Sequence, residues 1–207
     1  MRLIVCGTDT DVGKTVVSAL VVQGLGATYW KPVQSGIEGG TDSERLRGLL
    51  RLPPRRILPE AYRLTAPVSP HWAAERDGVR IEPDRLQLPA VAGPLVVETA
   101  GGLLVPLTRD GLQIEQIGRW GLPVLLVARS GLGTLNHTLL SLEALRRRRI
   151  PVLGLVLNGP PHPDNPRTLE SLGGVRVLAE LPPLEPLGAA ALQRCWLASR
   201  LPSSLSG

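Results

Sequence analysis

The sequence predicts a three-layer α/β fold, a mostly parallel β-sheet with helices on both faces, on three observations. Apolar runs of strand length, rich in Val, Ile and Leu, recur along the chain. They alternate with segments of helical length. Strands buried on both faces read as such unbroken runs, because each side of the sheet meets a layer of helices. No internal repeat, low-complexity tract or long linker divides the 207 residues. That length suits one α/β domain with its own core, so a single domain over 1–207 is expected.

Leu3–Cys6 reads as the first buried strand and Lys14–Gly24 as the helix that follows it. Ala27–Trp30, Leu95–Glu98, Val124–Ala128 and Val152–Leu157 read as further strands, with Val175–Leu178 as a sixth. Helices are expected at Asp42–Leu50, Pro70–Asp77, Ile114–Trp120, Leu135–Arg148 and Leu187–Leu197. Ligands of such sheets bind beyond the carboxyl ends of the strands. The segments that follow the strands therefore carry the functional argument.

Composition narrows the classes. The longest uncharged run, Val16–Trp30, is 15 residues long and contains Gly, Gln and Thr, too short and too polar to span a bilayer. Leu3–Cys6 is the only apolar stretch before Asp9 and Asp11, so no signal peptide and a cytoplasmic location are expected. Cys6 and Cys195 form neither a disulfide framework nor a metal-ligand pattern. The net charge of +5 raises the question of nucleic acid, but the basic residues at Arg45–Arg56 and Arg146–Arg149 have no aromatic residues among them. They read as solvated helix faces, and no nucleic-acid or membrane partner is expected. Of 23 Lys and Arg residues only two are Lys, at 14 and 31. Where Arg supplies nearly every surface cation, a retained Lys marks a place for a compact point charge rather than a planar fork.

Both Lys follow predicted strands. After the first comes Gly7-Thr-Asp-Thr-Asp-Val-Gly-Lys-Thr15, leading into a helix. It resembles a P-loop, with five residues rather than four between its glycines, so that Thr8 holds the first-glycine position. Such a loop cradles phosphates with backbone N–H groups and the positive helix end. Lys14 would reach the β/γ-phosphates and the Thr15 hydroxyl would ligate Mg²⁺. After the second strand, Trp30-Lys-Pro-Val-Gln-Ser-Gly36 places Lys31 beside the presumed nucleotide, where it would stabilise charge. Asp42, in Thr41-Asp-Ser43, reads equally well as a helix cap or as a site carboxylate. Glu98 ends an apolar strand where P-loop enzymes keep a metal-binding carboxylate. Ser69-Pro-His71 and the Gly131–His137 segment read either as helix starts or as anion-holding amides. Asn158, at the end of the fifth strand, is placed to read a purine edge through its amide.

Taken together, Gly7–Thr15, Lys31–Gly36, Thr41–Ser43, Ser69–His71, Glu98–Leu107, Gly131–His137 and Gly154–Asn158 resemble the dethiobiotin synthetase family, in the family's order and over about the first three-quarters of the chain. Two substitutions stand out. Thr99 replaces a family glycine and is expected to bring a Cβ and methyl close to the phosphate path, and Gly159 follows Asn158 where many members have Asp. The resemblance implies a P-loop ligase that takes 7,8-diaminononanoate, CO₂ and ATP with Mg²⁺. One amine is carbamylated, the carbamate attacks the γ-phosphate, and the second amine closes a ureido ring and expels phosphate. It implies Lys31 and Lys14 as catalytic residues and Thr15, Asp42 and Glu98 as metal ligands. It implies ATP contacts from Asp11, Val12, Gly13, Lys14, Thr15, Val16, Asp42, Glu98, Thr99, Ala100, Gly101, Asn158, Gly159, Leu181, Pro182 and Pro183. Substrate contacts would come from Thr10, Ser35, Ser69, Pro70, His71, Gly133, Thr134, Leu135 and Asn136. In the family the amides at Gly133–Asn136 take the substrate's distant carboxylate from across the subunit interface, which implies a homodimer with shared sites.

Three other classes compete. A glutaminase-linked amide-forming P-loop enzyme needs a nucleophilic Cys, and Cys195 lies in a late Ala/Leu-rich helix. A partitioning or positioning ATPase carries a further Lys near the loop's start, where Asp9 stands, and has no use for Lys31–Gly36. A nucleic-acid binder rests on net charge alone.

Overall fold

A computed structural model describes residues 1–205. In chain order its elements are β1 (Arg2–Gly7), α1 (Lys14–Leu25), β2 (Thr28–Trp30), β3 (Val33–Ser35), α2 (Asp42–Leu50), β4 (Tyr62–Leu64), α3 (Pro70–Arg76), β5 (Leu95–Gly102), α4 (Gln113–Trp120), β6 (Val124–Arg129), α5 (Thr134–Arg147), β7 (Val152–Asn158), α6 (Asn165–Gly173), β8 (Val177–Leu181), α7 (Ala189–Ala198) and α8 (Leu201–Leu205). Six strands form the main sheet in the order β2-β5-β1-β6-β7-β8, and every neighbouring pair is parallel. Strand β1 lies inside the sheet; the chain leaves it for β2 at one edge, returns to β5, then crosses β1 to build β6, β7 and β8. The direction of winding reverses at β1, and the loop that follows β1 opens into the crevice this creates.

Strand alternation divides the apolar residues between two cores. Leu3 and Val5 of β1 join Val96, Leu125 and Val127 on the side of α1, α7 and α8. Ile4 and Cys6 join Leu95, Val97, Leu126 and Ala128 on the side of α3, α4 and α5. Both faces of the sheet are therefore covered, and a strand residue's parity decides which layer it meets. Burial pushes the Cys6 thiol up to about 12, so it behaves as a small apolar residue. Helix α7 closes on α1 at Gly24, where a Cβ would lie 2.2 Å from the Trp196 ring; only a residue without a side chain permits that approach.

The structure extends the expected strands and adds elements. Strands β5, β6 and β7 run one to four residues further than predicted, and the last strand falls at Val177–Leu181 rather than Val175–Leu178. A small parallel pair, β3 with β4, and the helices α6 and α8 were not legible. Three-residue strands show no alternation to detect, and α6 opens in Asp164-Asn-Pro166, which reads as a turn. No helix among the described residues is long and apolar enough to cross a membrane.

Candidate active site

The loop between β1 and α1 is built from backbone. Gly13 takes φ 94°, and a Cβ there would meet the Asn158 side-chain nitrogen at 2.1 Å, so glycine is required both for conformation and for space. No side chain caps α1 and no acidic residue stands in its first turn. Its leading N–H groups and its dipole thus present a positive end to the loop. Lys14 Nζ donates to the Asp9 carbonyl at 2.8 Å, lying back across the loop. Burial, followed by repulsion from Lys31, pushes Lys14 below the ordinary lysine value.

Beside the loop, side chains from four elements converge. Lys31, just after β2 and only 4% exposed, donates to Asp42 Oδ2 and to Glu98 Oε1, the latter at 3.0 Å. Thr15 Oγ1 donates to the same Glu98 Oε1 at 3.0 Å, and the Tyr29 hydroxyl donates to Glu98 Oε2 at 2.9 Å. Glu98 itself is fully buried. Its parity on β5 matches Val96, which turns it to the α1 side of the sheet, where Tyr29 also lies. Burial alone would lower Lys31, but the Glu98 and Asp42 carboxylates and their hydrogen bonds outweigh it and hold Lys31 above its usual value. Burial opposes ionisation of Asp42 too, and the Lys31 ammonium, with the Thr15 hydroxyl and Arg45, holds it below the usual carboxylate value. Burial, followed by the Glu98 charge, holds the Tyr29 phenol well above its usual value, so it remains an O–H donor.

The two readings of Asp42 are resolved by its neighbour. Thr41 is the cap of α2: its hydroxyl accepts from Glu44 N–H at 3.2 Å, and Glu44 returns a bond to Thr41 N–H at 2.8 Å. Asp42 is thereby free of capping and faces Lys31. Thr99 follows Glu98 on β5. Alternation turns its side chain to the opposite side from Glu98, where it is 1% exposed with its hydroxyl 3.5 Å from the Val5 carbonyl oxygen.

Other expected site residues fall into three groups. Thr10 sits against Gly101, whose Cβ position is 3.3 Å from Thr10 Oγ1, while Asp11 stands exposed at φ 55° and Val12 and Val16 face the protein side of the loop. Asn158 and Leu181 are register partners, Gly159 N–H donates to the Leu181 carbonyl at 2.8 Å, and Pro182 and Pro183 follow exposed. Asn158 spends one amide hydrogen on the Val12 carbonyl at 3.2 Å, tying the β7 end to the loop. The third group lies toward α3 and α5. Ser35 Oγ and His71 Nδ1 are buried polar atoms with no partner among the described residues. Ser69 and Pro70 begin α3 without a side-chain cap. Gly133, at φ 90°, begins α5 with Thr134 buried, Leu135 half-buried and Asn136 exposed; no hydrogen bond among the described residues joins this group to the Lys31 cluster.

Two residues escaped the sequence reading. Tyr29 lay in an apolar strand and read as core. Gln113 lay one residue outside the helix expected at Ile114–Trp120. Between Val5 and Gly7 the β1–β5 register slips, so that β5 spends four residues where β1 spends two. Gln113 pins the slack with bonds to Ala100 N–H at 3.0 Å, Ala100 carbonyl at 2.7 Å and Gly102 carbonyl at 2.9 Å. Gln113 is 3% exposed, a burial that the sequence does not signal.

The fold and this loop define a P-loop nucleotide-binding protein. The AAA domain family matches residues 1–191. The cell division ATPase MinD of Pyrococcus furiosus superposes with a TM-score of 0.60 over 99% of this chain and 98% of that one, at 17% identity, which is a likeness of fold. The ATP-dependent dethiobiotin synthetase BioD of Rhodopseudomonas palustris strain BisB18 is 55% identical over 198 residues, 96% of this chain and 95% of that protein. Its counterpart in strain TIE-1 is 52% identical over 206 residues, 100% and 97% of the two chains. The chain belongs to the ATP-dependent dethiobiotin synthetase family and is an enzyme of the ligase class.

Proposed function

We propose that the protein carboxylates 7,8-diaminononanoate with CO₂ and closes the ureido ring to dethiobiotin, converting ATP to ADP and phosphate, with the whole chain acting as one catalytic unit. The observation that carries this reading is Lys31, held between Asp42 and Glu98 and next to the Lys14 loop. The reaction brings two anions, a carbamate and a triphosphate, into line, and paired point charges fixed in a buried site are what such an approach requires. An amine takes up CO₂ and releases a proton; the carbamate oxygen displaces ADP from the γ-phosphate; the second amine attacks the carbonyl carbon and phosphate leaves with loss of a proton. Lys14 neutralises the phosphates from the loop side and Lys31 from the side of the attacking oxygen. Thr10 and Ser35 bind the carbamate or diamine, and the unpartnered Ser35 Oγ and His71 Nδ1 supply polar contacts for it.

Thr15, Asp42 and Glu98 offer one hydroxyl and two carboxylates, the hydroxyl reaching both acids and Lys31 bridging them, hard oxygen donors that suit Mg²⁺. Bound there with the nucleotide, Mg²⁺ would draw charge from the β- and γ-phosphates. Gly159 and Leu181–Pro183 provide the base-binding edge, with the side-chain Oδ1 of Asn158 as its polar reader. Leu132, fully exposed between two glycines, and exposed Leu104 and Leu140 support a homodimer in which Gly133–Asn136 of one copy hold the substrate carboxylate bound to the other.

The test is incorporation of labelled bicarbonate into acid-stable product by purified protein with Mg²⁺, ATP and the diamine, each omitted in turn. Diamine-dependent label with one phosphate released per label fixed is expected. ATP hydrolysis without label would overturn the substrate assignment and leave a switch ATPase in its place.

A further inference from the structure

We propose that Tyr29 is a positioning residue for the phosphate-transfer site, its hydroxyl fixing the plane in which the Glu98 carboxylate faces Thr15 and Lys31. The inference rests on the reading of Glu98 as a metal-site carboxylate. Glu98 is fully buried and can gain no orientation from solvent. Its two oxygens have separate partners: Oε2 accepts from the Tyr29 hydroxyl at 2.9 Å, while Oε1 accepts from Thr15 at 3.0 Å and from Lys31 at 3.0 Å. A glutamate carboxylate rotates about its last two torsions unless both oxygens are held. Without the Tyr29 bond, Oε2 has no partner and the carboxylate plane can turn about the bonds to Oε1 at no hydrogen-bond cost. With it, rotation strands a buried hydroxyl, which carries a penalty of its own.

The tyrosine is well anchored for this task. It is 0% exposed, lies in the core against α1, and occupies β2, whose register with β5 pairs it with Val96, two residues before Glu98. Parallel pairing with a fixed register therefore sets the Tyr29–Glu98 geometry from the backbone. Lys31 follows two residues on, just beyond the end of β2, so that the anion's anchor and the cation it meets come from adjoining residues. Partners that hold a ligating carboxylate in place commonly govern metal affinity by about 10-fold or more when removed.

The experiment compares ATP affinity by calorimetry in EDTA and in MgCl₂ for wild type, Tyr29→Phe, Glu98→Gln and the double variant, with the diamine absent. Wild type should bind ATP more tightly with Mg²⁺, and Tyr29→Phe should lose roughly tenfold of that tightening while ATP affinity in EDTA stays within twofold. In the Glu98→Gln background the same substitution should change nothing further. A Tyr29→Phe protein with wild-type Mg²⁺ dependence, or with an equal loss in the Glu98→Gln background, overturns the inference while leaving the metal reading intact. Wild type and Glu98→Gln alike in showing no Mg²⁺ effect overturn both. A second readout keeps the hydroxyl and does not depend on the variant folding: 3-fluorotyrosine protein, assigned with Tyr62→Phe, should show the Tyr29 fluorine resonance shift when MgCl₂ is added to the ATP complex. An unmoved resonance overturns the inference.

Discussion

The phosphate loop and the charged cluster beside it meet at Thr15, yet they are made from different material. The loop is one continuous segment, Gly7–Thr15, whose geometry comes from backbone: Gly13 at φ 94°, uncapped N–H groups at the head of α1, and Lys14 lying along its own loop. The cluster is assembled from Thr15, Tyr29, Lys31, Asp42 and Glu98, spread over more than eighty residues and joined by side-chain bonds. A backbone cradle tolerates changes in side chains that point away from it but not in backbone freedom. A cluster of buried ions tolerates neither a change of shape nor the loss of a partner, because each charge relies on the others for its solvation.

The sharpest way to break this contrast is Lys31→Arg. The charge is kept, but a planar fork replaces a point charge in a site 4% exposed between Asp42 and Glu98. Turnover should fall roughly 100-fold or more with ATP affinity in EDTA little changed; turnover within a few-fold of wild type would remove Lys31 from its catalytic role. On the loop side, Gly13→Ala should cost about 3 kcal/mol of stability, measured by urea unfolding. Adding Asn158→Ala should recover only part of it, since the clash is relieved but the left-handed backbone is not. Full recovery would mean that space alone dictates the glycine.

Asp42→Asn sharpens the ionic half. It should cost about 2 kcal/mol near neutral pH, the scale of a hydrogen bond to a charged group. Asp42 is held below its unfolded value of 3.8, so its contribution is full above 3.8 and is lost as pH falls through the lower folded value. Unfolding curves of variant and wild type should therefore converge in acid below 3.8. Lys31 has the opposite sign: its contribution is full below 10.5 and disappears as pH rises through its raised folded value. A gap between Asp42→Asn and wild type that persists unchanged into strong acid would show that the loss is one of packing. The smallest effect belongs to Thr99→Gly. It should leave ATP affinity within twofold and cost about 1 kcal/mol of stability from added chain freedom in a strand. A marked gain in ATP affinity would show that the Thr99 side chain obstructs the phosphate path.

The sequence by itself determined the fold class, the six strands of the main sheet to within a few residues, the loop, and both lysines. Each rests on a local pattern: apolar runs for strands, a glycine-bounded turn for the loop, and two lysines in an arginine-rich chain. The tertiary structure decided the rest, because the remaining facts are relations between segments. Parity on β5 sent Glu98 toward α1 and Thr99 away from it. A capping box at Thr41 and Glu44 released Asp42 for Lys31, where the sequence allowed either use. Tyr29 and Gln113 gained their roles only when β2 and α4 were laid against β5, since a hydrogen bond across tens of residues leaves no periodicity in the chain that encodes it.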